Sequence, residues 1–234
     1  MKKKLEESLV GKRDNARFEE SYFEGYYKGI ADFTQKRDKE LANWFRAIFE
    51  YINKHYSLKK GNGKKLIEFG CATGVASSIL RDWRWDVTAT DISDYAVKKA
   101  AKNHKGIKFL VQDMEKPFDE AKFNVALAFD VIEHLPHPEA GIKNVYNLLK
   151  PGGTVIFTTP NDYPHVYNDP THINVKKPEE WVKIMRKSGF KNIFVKQVAI
   201  VPYFYRWSSE LAFVLPFAVN FKYVISPVIL IARK

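Results

Sequence analysis

Residues 66 to 74 read Leu66-Ile67-Glu68-Phe69-Gly70-Cys71-Ala72-Thr73-Gly74, and the rest of the chain is best read outward from them. The apolar run Lys65 to Phe69 predicts a strand. It breaks into a glycine-bearing turn that opens directly on a helical segment, Val75 to Asp82. Gly70 and Gly74 let the backbone turn tightly and approach a ligand closely, and a helix N-terminus favours a negative group such as a carboxylate. The dinucleotide fingerprint G-x-G-x-x-G has the same mechanics. Here the spacing is G-x-A-x-G behind an acid, Glu68.

The alternation continues downstream. Short apolar runs at Asp86 to Thr90, Ile107 to Val111, Asn124 to Phe129, Thr154 to Thr158 and Lys191 to Ala199 predict strands. Helices are expected at Asp94 to Asn103, Pro138 to Leu149 and Pro178 to Ser188. Strands separated by helices make βαβ units around a parallel sheet covered on both faces, so the fold class is doubly wound α/β. Ligands of such sheets bind at the carboxyl ends of the strands, near the point where strand order reverses.

Upstream, residues 1–60 read as a helical extension and 61–234 as the α/β domain. Residues 17 to 31 are aromatic and amphipathic, and a helix is expected from about Asp38 to Tyr56. Its Trp44, Phe45, Ile48, Phe49 and Ile52 form one apolar stripe suited to packing on the domain.

Composition narrows the class. With 234 residues the chain can bury a core of its own, and 45% hydrophobic content excludes a disordered chain. The net charge of +11 comes from 38 basic against 27 acidic residues interleaved along the chain. That pattern predicts a solvated surface and no nucleic-acid groove. The start Met1-Lys2-Lys3-Lys4 leads into Glu6 and Glu7 where a secretion signal would need an apolar run. A single cysteine, Cys71, forms no internal disulfide, which suits the cytoplasm.

Asp91 ends the second strand, 21 residues beyond Gly70, where a carboxylate can accept both hydroxyls of a ribose. Gln112-Asp113-Met114 follows the third, offering a carboxylate for an exocyclic amine and a thioether for a flat ring. Together these positions describe an adenosine pocket.

At residues 64 to 199 the sequence resembles the class I S-adenosylmethionine-dependent methyltransferases, in particular the type 11 and ubiquinone-biosynthesis O-methyltransferase-like members. The resemblance rests on Leu66 to Gly74, Thr90-Asp91-Ile92-Ser93, Gln112-Asp113-Met114, Phe129-Asp130-Val131-Ile132-Glu133-His134-Leu135 and Leu148-Leu149-Lys150-Pro151-Gly152-Gly153, in that order. It implies a Rossmann-like sheet of seven strands, mostly parallel, with an antiparallel last strand at Val224 to Arg233. It also implies that Gly70, Cys71, Ala72 and Gly74 surround the methionine part of S-adenosylmethionine, with Glu68 supporting the ammonium. Asp91 would then bind the ribose, Ile92 the adenine face, and Asp113 with Met114 the adenine edge and face. Phe129 and Asp130 would border the sulfonium. Ala72 departs from the family's usual glycine. Cys71 fills a position that needs only a small residue, not a nucleophile.

Transfer from a sulfonium is an in-line displacement that gains most from alignment and exclusion of water. A hydroxyl acceptor must lose a proton, for which histidine is the natural base. His172, in the polar and aromatic loop Thr159 to Lys177, is the leading candidate, with a backbone hydrogen bond fixing the loop as its alternative role. His134 is the second catalytic candidate. Asp130, Glu133 and His134 resemble an acid-x-x-Glu-His pattern that holds a divalent metal in some relatives, with orientation of the loop and cofactor as the favoured alternative.

Leu211 to Ala232 approaches the roughly 20 apolar residues of a membrane span. Lys222 near its centre argues against one. The resemblance instead implies an aromatic insertion at about 202–222, with a helix from Tyr205 to Phe217, before the last strand. That insertion could wall an apolar substrate pocket, form a homodimer face, or touch a membrane carrying a lipid-linked acceptor. The Tyr22 to Tyr27 cluster could close over the cofactor as a lid. The expected function is methyl transfer to a small molecule, at oxygen sooner than nitrogen. A scaffold that binds the cofactor without turnover, associated with a membrane, is the non-enzymatic alternative. No Asn-Pro-Pro-Tyr motif follows the fourth strand, which argues against nucleobase N-methylation. A nicotinamide dehydrogenase would need the dinucleotide glycine spacing and a second substrate domain.

Overall fold

Alternation along each strand divides the interior of the molecule into two layers. Leu66, Val125, Leu127, Ile156 and Ile229 point to one face of the sheet, and Ile67, Ala126, Ala128, Val155, Phe157 and Leu230 to the other. Both sets are buried, as a parallel sheet covered by helices requires. The computed structural model describes residues 18, 20, 22, 23, 35–119, 122–201, 213–221 and 224–234.

Helix α1 (Gln35–Asn53) is followed by β1 (Lys65–Phe69), α2 (Val75–Asp82), β2 (Asp86–Asp91), α3 (Asp94–Asn103), β3 (Lys108–Val111) and β4 (Phe123–Phe129). Then come α4 (Pro138–Leu148), β5 (Leu149–Pro160), α5 (Pro178–Ser188), β6 (Lys191–Gln197), β7 (Ala199–Ile200), β8 (Val214–Leu215) and β9 (Pro227–Arg233). Seven strands form one sheet in the order β3-β2-β1-β4-β5-β9-β6, with β9 antiparallel to both neighbours. Strand order reverses between β1 and β4. The expected seven-stranded, mostly parallel sheet is therefore present.

The amphipathic stripe of α1 packs as expected: Ile48, Phe49 and Ile52 are buried with Leu80 of α2, and the Phe49 ring meets Phe129 at 5.4 Å. Asn53 ends the helix earlier than expected because its Oδ1 accepts from the amides of Leu58 and Lys59. On the opposite face Ile142, Val145 and Leu148 of α4 pack with Trp181, Ile184 and Met185 of α5.

Three expectations are corrected. The fifth strand starts at Leu149, because Lys150 to Gly153 form an irregularity inside it, between the pairs Phe123 with Leu149 and Val125 with Thr154. The strand expected at Lys191 to Ala199 divides at Val198 into β6 and β7, since Ala199 and Ile200 leave β9 to pair with Leu215 and Val214. That same pairing makes Val214 and Leu215 a strand where a helix to Phe217 was expected. Residues 205–212 of that helix, and 24–27 of the aromatic cluster, lie outside the described residues. No helix among the described residues is long and apolar enough to cross a membrane.

Candidate functional site

The turn after β1 is held by hydrogen bonds to neighbouring strand ends. The Cys71 amide donates to the Thr90 carbonyl at 2.9 Å, and the Ala72 amide to Asp91 Oδ2 at 2.9 Å. Reaching Asp91 puts Ala72 at φ 45°, a left-handed conformation that costs a residue with a Cβ about 1–2 kcal/mol. Gly70, at φ 69°, has no such penalty. A Cβ there would lie 2.3 Å from Val131 Cγ2, so only glycine lets the loops after β1 and β4 meet.

Asp91 is buried and accepts at both oxygens, Oδ1 taking the Ser93 amide at 2.9 Å. Burial raises its carboxyl above the usual range while these amides pull it down. Two acceptors are used, and a carboxylate has about four lone-pair sites, so acceptor capacity remains for hydroxyls. Asp113 is placed by the same device: its Oδ1 accepts from the Glu115 amide at 2.8 Å. Met114 is buried beside it, its carbonyl bonded to Asn144.

These residues line a cavity of about 290 Å³ over the switch point. Gly70, Ala72, Asp91, Ile92, Asp113 and Met114 stand in its wall with Asp130, His134 and His172. Of the residues singled out from the sequence, Glu68, Cys71, Gly74 and Phe129 do not line it. Glu68 is turned beneath the loop, where it accepts from the Ser77 hydroxyl of α2; burial raises its carboxyl to about 7. Cys71 and Phe129 point into the core. Gly74, at φ 81°, is the N-terminal residue of α2 and packs toward His104 and Phe109. These four build the site from below without facing it.

The far end of the cavity is ionisable. Asp130, at φ 51°, accepts at Oδ1 from the Thr158 hydroxyl at 3.0 Å. It is exposed at the cavity wall, and the protein packed around it raises its carboxyl. Glu133 is fully buried, with neither carboxylate oxygen hydrogen-bonded among the described residues. Burial first, then the charge of Asp130, pushes its carboxyl well above the usual range.

His134 Nδ1 meets the Thr171 carbonyl at 3.0 Å, and its ring packs edge-on against Phe18. Burial, then the neighbouring His172, lowers its pKa to about 4, which keeps it neutral. His172 Nδ1 meets the Val166 carbonyl at 2.8 Å, so the proton sits on Nδ1 and the lone pair on Nε2. That Nε2 lies 3.7 Å from Asp169 Oδ2, and Asp169 is itself fixed by the amide and hydroxyl of Thr171. His172 thus has the loop-fixing bond at Nδ1, with Nε2 set beside Asp169 in the wall of the cavity.

The metal-pattern residues regroup. Glu133, His134 and His172 each offer a ligand atom, all within 4.8 Å of one another, and Asp130 is outside this trio. His172 replaces it because the loop after β5 folds back over the short helix Ile132–His134, bringing the two imidazoles to 4.7 Å. Sequence reasoning also did not assign Phe18, Val131, Leu135 and Asp169 to the wall. The apolar ones carry no motif, and Asp169 stood only as one polar loop residue among several.

A family profile described as a methyltransferase domain matches residues 35–195. A ubiquinone biosynthesis O-methyltransferase of Coxiella burnetii is 34% identical over 118 residues, covering 48% of this chain and 49% of that protein. Another, of Stutzerimonas stutzeri, is 32% identical over 124 residues, covering 50% and 52%. The chain thus spans about half the length of the curated relatives it matches. Among solved structures, magnesium protoporphyrin IX methyltransferase of Synechocystis with bound SAH has a TM-score of 0.65 at 16% identity, over 97% of this chain and 99% of that one. A SAM-dependent methyltransferase of Archaeoglobus fulgidus gives 0.61 at 14% identity, over 81% and 94%. At these identities the structural likeness shows a shared fold.

Proposed function

The chain belongs to the methyltransferase domain family, and we propose that it transfers the methyl group of S-adenosylmethionine to a hydroxyl oxygen of a small molecule. The observation that carries this reading is one continuous cavity joining the carboxylates of Asp91 and Asp113 to the imidazole of His172. A cofactor with an adenosine end and a sulfonium end fits such a cavity lengthwise. Asp91 receives the ribose hydroxyls, Asp113 the adenine amine, and Ile92 with Met114 the faces of the base. Gly70 and Ala72 lie along the methionine part, and Asp130 borders the sulfonium.

At the reacting end the acceptor oxygen attacks the methyl carbon as the carbon–sulfur bond breaks, and that electron pair stays on sulfur. The hydroxyl proton passes to His172 Nε2, whose lone pair is fixed by the Nδ1 bond to Val166. His134, held neutral, adds no competing positive charge beside the sulfonium. The half-buried Phe18 and buried Phe23 in the wall help to exclude water. A reducing cytoplasm, where the single thiol Cys71 would stay unpaired, is the compartment we assign.

The orphaned oxygens of Glu133 favour a second reading, in which Glu133, His134 and His172 hold a divalent cation. Such an ion would supply Lewis acidity that lowers the pKa of a bound hydroxyl. His172 then ligates instead of taking the proton.

Calorimetric titration with S-adenosylmethionine and S-adenosylhomocysteine, with NAD as control, tests the primary reading. Asp91→Ala removes the ribose acceptor and the partner of two loop amides, and should weaken both ligands about a hundredfold. Absent binding, or preference for NAD, overturns the assignment.

A further inference from the structure

The strands collect positive charge at the edge of the sheet that faces away from the cavity. Lys65 of β1 stands in register with Asp86 of β2, and Arg233 of β9 with Thr154 of β5 and Lys191 of β6. All of these except Thr154 are exposed. Lys150 joins them, since its Nζ meets Asn124 Oδ1 at 3.2 Å, the oxygen that also accepts from the Lys65 amide. The parallel strands start on this edge and end at the cavity, so the five residues of β1 separate it from Gly70 by roughly 15 Å.

Like charges are brought together here in two places. Lys191 and Arg233 are direct cross-strand partners, a juxtaposition that destabilises a sheet unless something neutralises it. At the last turn of α4, Lys122 Nζ donates to the Asn147 carbonyl at 2.7 Å, and Lys234 Nζ to those of Tyr146 and Leu149 at 2.7 and 2.8 Å. Burial, then the charges of Lys122 and Lys143, holds the Lys234 ammonium below its usual range. The carbonyl end of the helix accounts for Lys122 and Lys234, because cations stabilise that end of the dipole. It does not account for Lys65, Lys150, Lys191 and Arg233. None of these four has an ion pair among the described residues, and Asp86 is the one acid among the strand termini of this edge.

The composition of the edge selects among polyanions. Among the described residues, the exposed large apolar and aromatic side chains lie elsewhere: Val111 ends β3, Tyr167 and Ile173 follow β5, and those within residues 213–225 precede the start of β9, which is at the cavity end. Faces that enter a bilayer interface combine cations with such side chains, and single-stranded nucleic acid stacks on them. A row of strand ends also offers no helix or ribbon to enter a duplex groove. An extended acidic chain needs only spaced cations. From β1 to β6 the row crosses four strand spacings, about 19 Å, which an extended peptide of about six residues covers.

We infer that the sheet edge opposite the cavity is a docking face for an acidic segment of a partner protein, an extended run of Asp and Glu lying across Lys65, Lys150, Arg233 and Lys191. Such a partner leaves the cavity open.

The test titrates the full chain into a labelled glutamate dodecapeptide and reads fluorescence anisotropy. Binding should weaken at least about tenfold between about 50 and about 200 mM salt, and at least about tenfold in the triple variant Lys150→Glu, Lys191→Glu, Arg233→Glu. A second triple variant, Lys98→Glu, Lys102→Glu, Lys105→Glu, removes as much charge from exposed positions in and just after α3, and should weaken the peptide less than about threefold. Lys191→Glu alone turns the like-charge pair with Arg233 into an opposite one, so it should weaken the peptide about threefold yet melt no lower than the original protein. Saturating S-adenosylhomocysteine should leave peptide affinity within about twofold. Absent binding, equal weakening by the two triple variants, or competition with S-adenosylhomocysteine overturns the docking face. Tighter binding of phosphatidylserine vesicles or of a DNA duplex than of the peptide, lost in the first triple variant, overturns the acidic partner and assigns the edge to that polyanion.

Discussion

His172 and Glu68 are both titratable residues beside a ligand cavity, and their surroundings give them opposite roles. His172 is tied at Nδ1, and its Nε2 lies beside Asp169. With a hydroxyl acceptor, His172→Ala should lower kcat about 10²- to 10⁴-fold while S-adenosylhomocysteine affinity is kept. Repeating the assay in excess chelator separates the two roles, since an unchanged rate leaves only the proton-accepting one. Glu68 is enclosed, and its carboxyl rises from 4.5 to about 7 because burial disfavours the charge. A carboxyl with a raised folded pKa binds its proton more tightly in the folded state. Its contribution is complete below about 4.5 and is lost as pH rises through 7, a change of about 3 kcal/mol. Glu68→Gln keeps an acceptor for Ser77 and has no charge to bury. Its melting temperature should therefore fall less than the original protein's between about pH 5 and about pH 8.

Helices α2, α3 and α5 run between the residues expected from the sequence, since each starts and stops on local signals. Helix α3 begins with Ser93 accepting from the Ala96 amide, and α5 ends at Gly189 with φ 108°. What the sequence could not show is that the Gly189 position is also closed sterically. A Cβ there would come within 2.8 Å of the Tyr146 ring, which is packed edge-on to Phe190. Gly189→Ala should thus cost about 2–4 kcal/mol, conformational and steric penalties together, measured by urea unfolding. The strands were legible in their centres and less so at their ends. β7 and β8 exist only because residues 199–200 and 214–215 pair, and nothing in either short apolar run announces its partner. The glycine-rich stretch after Leu149 reads locally as a turn, yet pairing with β4 extends the strand through it.

For the molecule as a whole, the end of the cavity that carries Gly70, Asp91 and Asp113 was legible because each residue sits at the end of its own strand. Gly70 and Asp113 come after β1 and β3, and Asp91 ends β2. The end that holds His134 and His172 was not, because its residues meet through long returns. His134 meets Thr171 across 37 positions, and Glu133 joins His172 through a loop whose path no periodicity sets. Phe18, Tyr22 and Phe23 of the N-terminal extension stand in the wall of the cavity. The sheet order has one more consequence, which concerns synthesis. β9 is translated after the other six strands but lies between β5 and β6. At about 5–20 residues per second, the 30 positions from Gln197 to Pro227 occupy a ribosome for roughly 2–6 s. Throughout that interval the nascent chain carries β5 as an unpaired edge of Val155, Ile156 and Phe157, the kind of edge that recruits other strands. Yield of this protein in a host should accordingly depend on how well holdase chaperones cover β5 until β9 arrives.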